Sequence, residues 1–238
     1  MPPSRARRAV LLVALGAASG LLAACATLAG GAPAAPACDA ELLVSHYDAD
    51  RVARFDGCSG AWLGDLRHDG ELAGPQALRL GPDGLLYVVS ERNDRILRFD
   101  PRTHAFVDVW LESPRLAAPT AIDFGADGAA FIGSYGGDRV LRYAGGELTD
   151  FLIGGDVDGV DAGMAFGPDG HLWIPAFESG VLLVVDPATR AVLRRIRTGL
   201  VNPRMLLWAP DGSYLLIGSW GNDAILSLDL TDPAAEPQ

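Results

Sequence analysis

Apolar and polar positions alternate along most of the chain in short runs that turn residues interrupt. Between residues 75 and 113 the runs QALRL, LLYVV, RILRF and AFVDVWL are separated by a Pro-Asp-Gly turn, an ERND loop and a PRTH turn. Period-two alternation bounded by such turns is typical of β-strands, and the continuous run LLYVV is typical of a strand buried on both faces. The pattern predicts four consecutive strands and almost no helix, because no segment shows a 3.6-residue period.

This four-strand unit recurs along the chain. The turn glycines Gly84, Gly128, Gly170 and Gly212 are 44, 42 and 42 residues apart, and residues 42–56 hold the second half of a fifth copy. Repeats of roughly 40 to 50 residues are the range of β-propeller blades, and stacked copies can bury faces that one sheet cannot bury alone. The spacing predicts an all-β propeller of four-stranded blades, with five blades visible and room for a sixth. A β-sandwich of the same strands is the alternative.

The strand count leaves the closure of the ring open. The repeats supply 18 strands where five complete blades need 20, because the first copy lacks its inner strand and the last lacks its outer strand. Two interpretations fit this count. Either two blades of a five-bladed ring are thin, or the chain is shorter than a six- or seven-bladed relative.

The N-terminus has the pattern of a secretory signal. Three arginines within the first eight residues precede an apolar run that ends in the sequence LAAC, with the cysteine at position 25. LAAC resembles a bacterial lipobox, in which Cys25 becomes the lipid-bearing N-terminus; a cleaved signal without lipid is the alternative. We predict an exported protein anchored by lipid to the bacterial cell envelope, facing the periplasm or the cell surface. The predicted divisions are a signal peptide over 1–24, an Ala/Gly/Pro tether over 25–40, the propeller over 41–231 and a tail over 232–238.

Two further cysteines, Cys38 and Cys58, flank the first predicted strands. In an oxidising compartment such a pair is bridged more often than free, which predicts a disulfide at the N-terminal edge of the fold. Two unpaired thiols are the alternative. Neither cysteine belongs to a CxxC motif, so the sequence does not indicate zinc.

Charge excludes several classes of partner. The formal charge is −11, and removal of residues 1–24, which contain three arginines and no acidic residue, brings it to −14. This balance disfavours nucleic acid and anionic headgroups, so membrane contact is expected only through the lipid. All 19 basic residues are arginine, which excludes lysine Schiff-base chemistry. We expect a monomer.

The repeats resemble those of a known class of propellers. The stretch PQALRLGPDGLLYVVSERNDRILRFD resembles NHL-type repeats, and VLLVVDPATRAVLRRIRTG with PDGSYLLIGSWGNDAILSLDL resembles the YVTN repeats of surface-layer propellers. The resemblance spans residues 42–230 and implies the fold. It implies no function, because these repeats are architectural and occur in proteins with unrelated activities.

One column of the repeat alignment predicts a binding surface. It lies in the loops between the second and third strands, which gather on one face of a propeller, and it holds four aromatic residues, one carboxylate and a neighbouring imidazole. Aromatic side chains supply contact area and a carboxylate supplies orientation. Packing of these side chains between blades is the alternative. The column consists of Tyr47, Glu91, Tyr135, Phe177 and Trp220, with His46 beside it.

Catalytic and metal motifs are incomplete. The chain contains no nucleophile elbow, Walker loop or dinucleotide fingerprint. The loop GGDVDGVDAG offers Asp156, Asp158 and Asp161 as metal ligands but lacks the other ligands of an EF-hand, so a solvated acidic loop is the alternative.

Distant similarity to two enzyme families sharpens the functional question. Virginiamycin B lyases use a metal with a Glu-x-His pair nearby, whereas none of the four histidines here has Glu two residues before it. Gluconolactonase-like propellers hold a divalent ion through Glu, Asn and Asp, for which Glu91, Asp161 and Asn202 are the matching residue types. We therefore predict a binding or scaffold module for a protein segment or a small ligand, without a cofactor. The alternative is a lyase or a lactonase-like hydrolase that uses a divalent cation on the same face.

Overall fold

The computed structural model of the protein describes residues 40–66, 70–155, 157–161 and 163–230, together with the backbone of 10–14. These residues form five antiparallel sheets that follow one another as the blades of a five-bladed β-propeller. In the part of the chain that the structure describes, helix is limited to two 3₁₀ turns, Tyr47–Ala49 and Glu91–Asn93. The predicted fold class, the five blades and the near absence of helix are confirmed. Within the described ranges, no helix is long and apolar enough to cross a membrane.

Each blade is numbered from its innermost strand outward. Blade 1 contains β1 (Val10–Ala14), β2 (Glu41–His46), β3 (Arg51–Asp56) and β4 (Trp62–Leu66); blade 2 contains β5 (Pro75–Leu80), β6 (Leu86–Ser90), β7 (Arg95–Phe99) and β8 (Phe106–Glu112). Blade 3 contains β9 (Pro119–Phe124), β10 (Ala130–Ser134), β11 (Arg139–Ala144) and β12 (Glu147–Ile153). Blade 4 contains β13 (Ala165–Phe166), β14 (Leu172–Ala176), β15 (Val181–Val185) and β16 (Val192–Arg197); blade 5 contains β17 (Pro203–Trp208), β18 (Tyr214–Ser219) and β19 (Ile225–Asp229).

The first blade differs from the prediction. Strand β1 pairs antiparallel with β2 and supplies the inner strand that the repeat pattern does not contain. The expectation of a three-stranded first blade is therefore wrong for this chain, because an apolar segment before the first repeat fills the inner position. Residues 10–14 also lie inside the predicted signal peptide. Cleavage before Cys25 would remove β1 and leave blade 1 with β2, β3 and β4.

The second strands form the most deeply buried layer. Every residue of β6, β10 and β14 is buried, whereas no residue of the outer strands β8 and β16 is buried. A second strand packs against neighbouring blades on both of its faces, which explains the continuous apolar runs in the sequence.

Four apolar clusters hold the blades together. Each joins one blade to the next, and they are centred on Leu78, Ile122, Phe131 and Trp173. Among the described residues no cluster joins blade 5 to blade 1, and Leu207 and Ile225 of blade 5 are exposed. Within the described ranges the sheet of the last blade has three strands and lacks an outer one, as predicted.

A recurrent aspartate joins each of the first three blades to the next. Asp50, Asp94 and Asp138 lie between the second and third strands of blades 1, 2 and 3, all with positive φ. Their carboxylates accept hydrogen bonds from the backbone amides of Gly74, Ala118 and Gly159, at 2.7, 2.7 and 3.0 Å. Each contact fixes the point where the chain turns into the next inner strand, and so it positions the residues nearest the axis.

Candidate axial binding site

A pocket of about 240 Å³ lies on the propeller axis, on the face that carries the loops between second and third strands. Its lining contains two side chains from each of blades 2, 3, 4 and 5. One comes from the start of the inner strand or, for Asp161, from the segment that leads into it, and the other comes from the loop after the second strand. The lining residues are Gln76, Glu91, Thr120, Tyr135, Asp161, Phe177, Arg204 and Trp220.

A repeated backbone hydrogen bond places the two lining side chains of a blade next to each other. The amides of Glu91, Tyr135, Phe177 and Trp220 donate to the carbonyls of Gly74, Ala118, Gly159 and Asn202, at 3.0 to 3.1 Å. All four acceptor residues have positive φ, a conformation that glycine and asparagine adopt most readily. Equivalent backbone geometry therefore brings one column of the repeat to the axis in four blades.

The inner strands begin with irregular pairing where they meet the pocket. The register between β5 and β6 shifts between Pro75 and Leu78, and that between β17 and β18 shifts between Arg204 and Leu206. A similar shift in blade 3 lies beside Thr120. Bulges of this kind redirect a side chain out of the regular pleat and are common near functional sites. They account for the position of Gln76, Thr120 and Arg204 in the lining.

The pocket contains a buried ion pair between two blades. Nη2 of Arg204 lies 2.9 Å from Oδ1 of Asp161, and only 7% and 13% of the two side chains are exposed. The guanidinium carbon also lies 5.4 Å from the centroid of the Trp220 ring. Arg204 thus contributes a cation that is already engaged by a carboxylate and an aromatic face.

Glu91 lies at the centre of a second polar group. Its Oε1 accepts a hydrogen bond from the Tyr47 hydroxyl at 3.2 Å, and its Oε2 accepts one from the Gln76 amide. The Arg92 guanidinium carbon lies 5.1 Å from the centroid of the Tyr47 ring. Tyr47 therefore packs between blades 1 and 2 and orients Glu91, while Glu91 itself faces the axis.

Tyr135 and Phe177, from blades 3 and 4, form an aromatic wall of the pocket. Their rings meet edge to face with centroids 6.0 Å apart, and the Tyr135 hydroxyl lies 3.5 Å from Oε1 of Glu178. Burial raises the pKa of Tyr135, and the nearby carboxylates of Glu178, Asp161 and Asp138 raise it further. Burial and these carboxylates therefore both disfavour the phenolate form of Tyr135.

The structure brings together four of the five residues of the predicted column. Glu91, Tyr135, Phe177 and Trp220 line the pocket, whereas Tyr47 reaches it only through Glu91. His46 is not part of the lining, and its buried Nδ1 has no hydrogen-bond partner among the described residues. The sequence did not single out Gln76, Thr120 and Arg204. All three lie eight residues before the turn glycine of their repeat. This shared position could have identified them, but the three residues are of different types.

Two of the three aspartates that the sequence offers as metal ligands in the loop before blade 4 have other partners in the structure. Asp158 accepts hydrogen bonds from the Ser179 amide and hydroxyl at 3.3 and 3.2 Å, while Asp161 pairs with Arg204; Asp156 lies outside the described residues. The described part of the chain contains no group of three His, Cys, Asp or Glu side chains placed to hold a metal ion.

Two of the residues whose types match the metal ligands of gluconolactonase-like propellers, Asn202 and Asp161, also have other partners. The Asn202 amide donates to the Phe177 carbonyl at 3.0 Å, and a guanidinium cation occupies the space beside Asp161. A cation in that position opposes a second, divalent one. The donor set in the pocket therefore does not match a metal centre.

Comparison with known structures agrees with the architecture. The structure of catalytically inactive virginiamycin B lyase from Staphylococcus aureus with quinupristin matches with a TM-score of 0.58 and 14% identity, over 83% of this chain and 69% of the lyase. The chain shares the β-propeller fold. A protein of unknown function from Bacteroides caccae matches with a TM-score of 0.61 and 15% identity, over 79% of this chain and 74% of that one. A candidate 6-phosphogluconolactonase from Bacteroides uniformis matches with a TM-score of 0.59 and 19% identity, over 86% of this chain and 67% of that one.

These matches extend to the fold alone, because the identities are below 20%. No protein-family model and no curated protein matches the sequence. The distant relationship to lyase-like and lactonase-like propellers that the repeats suggested is confirmed at the level of architecture. The chemistry of the site must be argued from its own residues.

Proposed function

We propose that the protein is a binding module whose axial pocket receives a small ligand. The supporting observation is the convergence of eight side chains, two from each of four blades, on one pocket at the loop face. Pockets with aromatic walls and a few oriented polar groups are the usual form of small-molecule sites. A volume of about 240 Å³ suits a ligand smaller than a drug-sized molecule, whose pockets span roughly 300 to 1,000 Å³.

The rigidity of the pocket supports a binding role. Backbone hydrogen bonds fix the four loop residues, the aspartates at the blade junctions fix the inner strands, and Asp161 holds Arg204. A preorganised site loses little conformational entropy when its ligand enters. The same features serve a binding protein without any reacting group.

The site of action follows from the N-terminal sequence as part of this proposal. A lipid on Cys25 and the tether over 25–40 would hold the propeller at the cell envelope, and a disulfide between Cys38 and Cys58 would fasten its first blade. Cys25 and Cys38 lie outside the described residues, while Cys58 lies in the turn after β3. Mass spectrometry of the mature protein tests all three features, through the N-terminal residue, the lipid mass and the bridged peptide.

A thermal-shift screen of small metabolites tests the binding role, because a ligand that binds only the folded state raises its melting temperature. Hits are retested on a variant with Phe177→Ala and Trp220→Ala, which removes two walls of the pocket. The control is Trp62→Ala, which removes an exposed tryptophan from outer strand β4. We expect the double variant to abolish the shifts and the control to retain them. Shifts that survive in the double variant would place the ligand elsewhere.

The alternative from the sequence, a lyase or lactonase-like hydrolase that uses a divalent cation, needs a metal that the donor set does not match. Metal analysis of the purified protein and titration with calcium, magnesium, manganese and zinc test it separately. A bound metal that is lost on Glu91→Gln or Asp161→Asn would replace the binding proposal with the enzyme alternative.

A further inference from the structure

The charge of the pocket lining indicates the kind of ligand it takes. The described lining contains two carboxylates, Glu91 and Asp161, and one guanidinium, Arg204. Arg204 is largely buried, pairs with Asp161 at 2.9 Å and stacks on Trp220. Among the described residues, the lining therefore carries one more negative than positive charge, and the guanidinium of Arg204 is held in the wall.

The rim adds further carboxylates to this negative environment. Glu178 lies 3.5 Å from the Tyr135 hydroxyl, and Asp138 and Asp158 flank the start of blade 4. The raised pKa of Tyr135 is consistent with this, since burial and then the charges of Glu178, Asp161 and Asp138 all disfavour a phenolate there. An anionic ligand would have to overcome the repulsion of these groups.

The aromatic walls are suited to an organic cation. Tyr135, Phe177 and Trp220 come from three adjacent blades, and the face of an aromatic ring attracts cations within roughly 6 Å of its centroid. Trp220 already binds the Arg204 guanidinium in this way. Aromatic rings combined with carboxylates are a recurrent way to bind substituted ammonium groups.

We propose that the axial pocket binds a compact organic cation of the alkylammonium class. The walls contributed by Tyr135 and Phe177 contact the alkyl groups, and Glu91 faces the positive charge. This inference rests on the proposed binding function and adds the chemical class of the ligand to it.

A set of three isosteric probes tests the charge separately from the shape. Choline is the cation, 3,3-dimethylbutan-1-ol replaces its nitrogen with carbon and is neutral, and 3,3-dimethylbutanoate is an anion of similar form. Isothermal titration calorimetry measures the affinity of the purified protein for each probe. We expect choline to bind at least tenfold more tightly than the neutral probe, and the anion to bind more weakly still.

Matched variants localise the effect. Glu91→Gln keeps the shape and an acceptor oxygen, and we expect it to weaken choline binding about tenfold while leaving the affinity for the neutral probe unchanged. Glu147→Gln, at an exposed hairpin of blade 3, is the control and should change neither affinity.

Two kinds of result would overturn the inference. One is equal or tighter binding of the neutral or anionic probe, and the other is no choline binding by the folded wild-type protein. The binding proposal is judged separately, by screen hits that depend on Phe177 and Trp220. Such hits without choline binding would show a small-ligand pocket of a different specificity, whereas their absence would count against the binding module itself.

Discussion

The Arg204 guanidinium and the Asp161 carboxylate join blade 5 to blade 4 across the wall of the axial pocket, with 2.9 Å between Nη2 and Oδ1. Asp161 directly follows Val160, which bridges to Ala176 of β14, and Arg204 is the second residue of β17. The pair therefore ties the beginnings of two neighbouring inner strands. Because both side chains are largely buried, each depends on the other to offset the cost of losing its hydration.

Removal of either partner should destabilise the protein strongly. We expect Arg204→Met and Asp161→Asn each to lower the free energy of unfolding by about 3 kcal/mol, since each removes one charge of a largely buried ion pair. The double variant should lose less than the sum of the two, because it leaves no unpaired charge. Equilibrium urea unfolding of the four proteins measures these differences.

An exposed ion pair is the control for this cycle. Nη2 of Arg142 lies 2.6 Å from Oδ2 of Asp127, but 33% of the Arg142 side chain and 57% of the Asp127 side chain are exposed. Arg142→Met should cost no more than about 1 kcal/mol, as is usual for surface pairs. If Arg204→Met cost as little as Arg142→Met, the pair at the axis would have no special structural role.

The junction aspartates give a second prediction. Asp94 accepts a hydrogen bond from the Ala118 amide of the next blade at 2.7 Å. We expect Asp94→Ala to lower the free energy of unfolding by about 1 to 2 kcal/mol, because the amide loses its acceptor in a partly buried position. Urea unfolding again measures the effect.

Asp223 is a matched control that the repeat itself supplies. It holds the equivalent position in blade 5, with a φ of 51°, and no hydrogen bond to its carboxylate is found within the described ranges. Asp223→Ala should therefore change stability by less than about 0.5 kcal/mol, as expected for an exposed surface residue. A loss equal to that of Asp94→Ala would show that Asp223 caps a further blade, and that the ring closes through residues outside those described.

The parts of the fold that depend on local chemistry were predictable from the sequence. Each Pro-Asp-Gly or Ala-Asp-Gly turn has the aspartate accepting an amide hydrogen bond two residues later and a glycine with positive φ, as at Asp83 and Gly84. The second strands are apolar throughout because both faces are covered. The repeated backbone bond at Glu91, Tyr135, Phe177 and Trp220 is also why one alignment column found half of the pocket.

Three other lining residues depend on contacts that a sequence pattern does not carry. Gln76, Thr120 and Arg204 reach the axis because the inner strands begin with bulges, and these form only when neighbouring blades hold the chain in place. Strand β1 was missed for a different reason. Its apolar residues satisfy the pattern of a signal peptide as well as that of a strand, and composition alone does not separate the two.

The pH dependence of stability should report the ion pairs that Glu41 of β2 makes with Arg54 of β3 and His104 of blade 2. The Arg54 guanidinium donates to both carboxylate oxygens of Glu41, at 2.9 and 3.2 Å, and holds the pKa of Glu41 below its ordinary value of 4.5. Nε2 of His104 lies 3.0 Å from the same carboxylate and adds to this effect. A lowered pKa in the folded state means that the ionised carboxylate stabilises the fold above its ordinary pKa, and that this contribution is lost as the pH falls through the folded-state pKa.

Glu41→Gln should therefore flatten the acid limb of the stability curve. We expect the wild type to have a higher melting temperature than the variant near neutral pH. This difference should disappear as the pH falls from about 5 to about 3. Melting temperatures recorded across this range measure the difference. Glu147→Gln, at an exposed hairpin, is the comparison and should run parallel to the wild type; parallel curves for Glu41→Gln as well would contradict the assignment.

Alanine substitutions at two glycines separate two causes of lost stability, an unfavourable backbone conformation and crowding beside the pocket. Gly84 has a φ of +78°, and a Cβ there would meet no atom within 4 Å. Gly84→Ala should therefore cost only about 1 kcal/mol, the usual cost of placing alanine in the left-handed region.

Gly163 lies against the bulge that directs Arg204 to the axis. A Cβ at Gly163 would overlap the backbone nitrogen of Met205, which has a φ of 59° and stands between the two residues where the register shifts. Because backbone cannot move aside as a flexible side chain does, Gly163→Ala should cost about 2 kcal/mol or more and displace Arg204 as well. Urea unfolding and choline titration of both variants measure these effects. Gly84→Ala should keep wild-type affinity and Gly163→Ala should not; normal affinity in a destabilised Gly163→Ala would show that the bulge does not control the pocket.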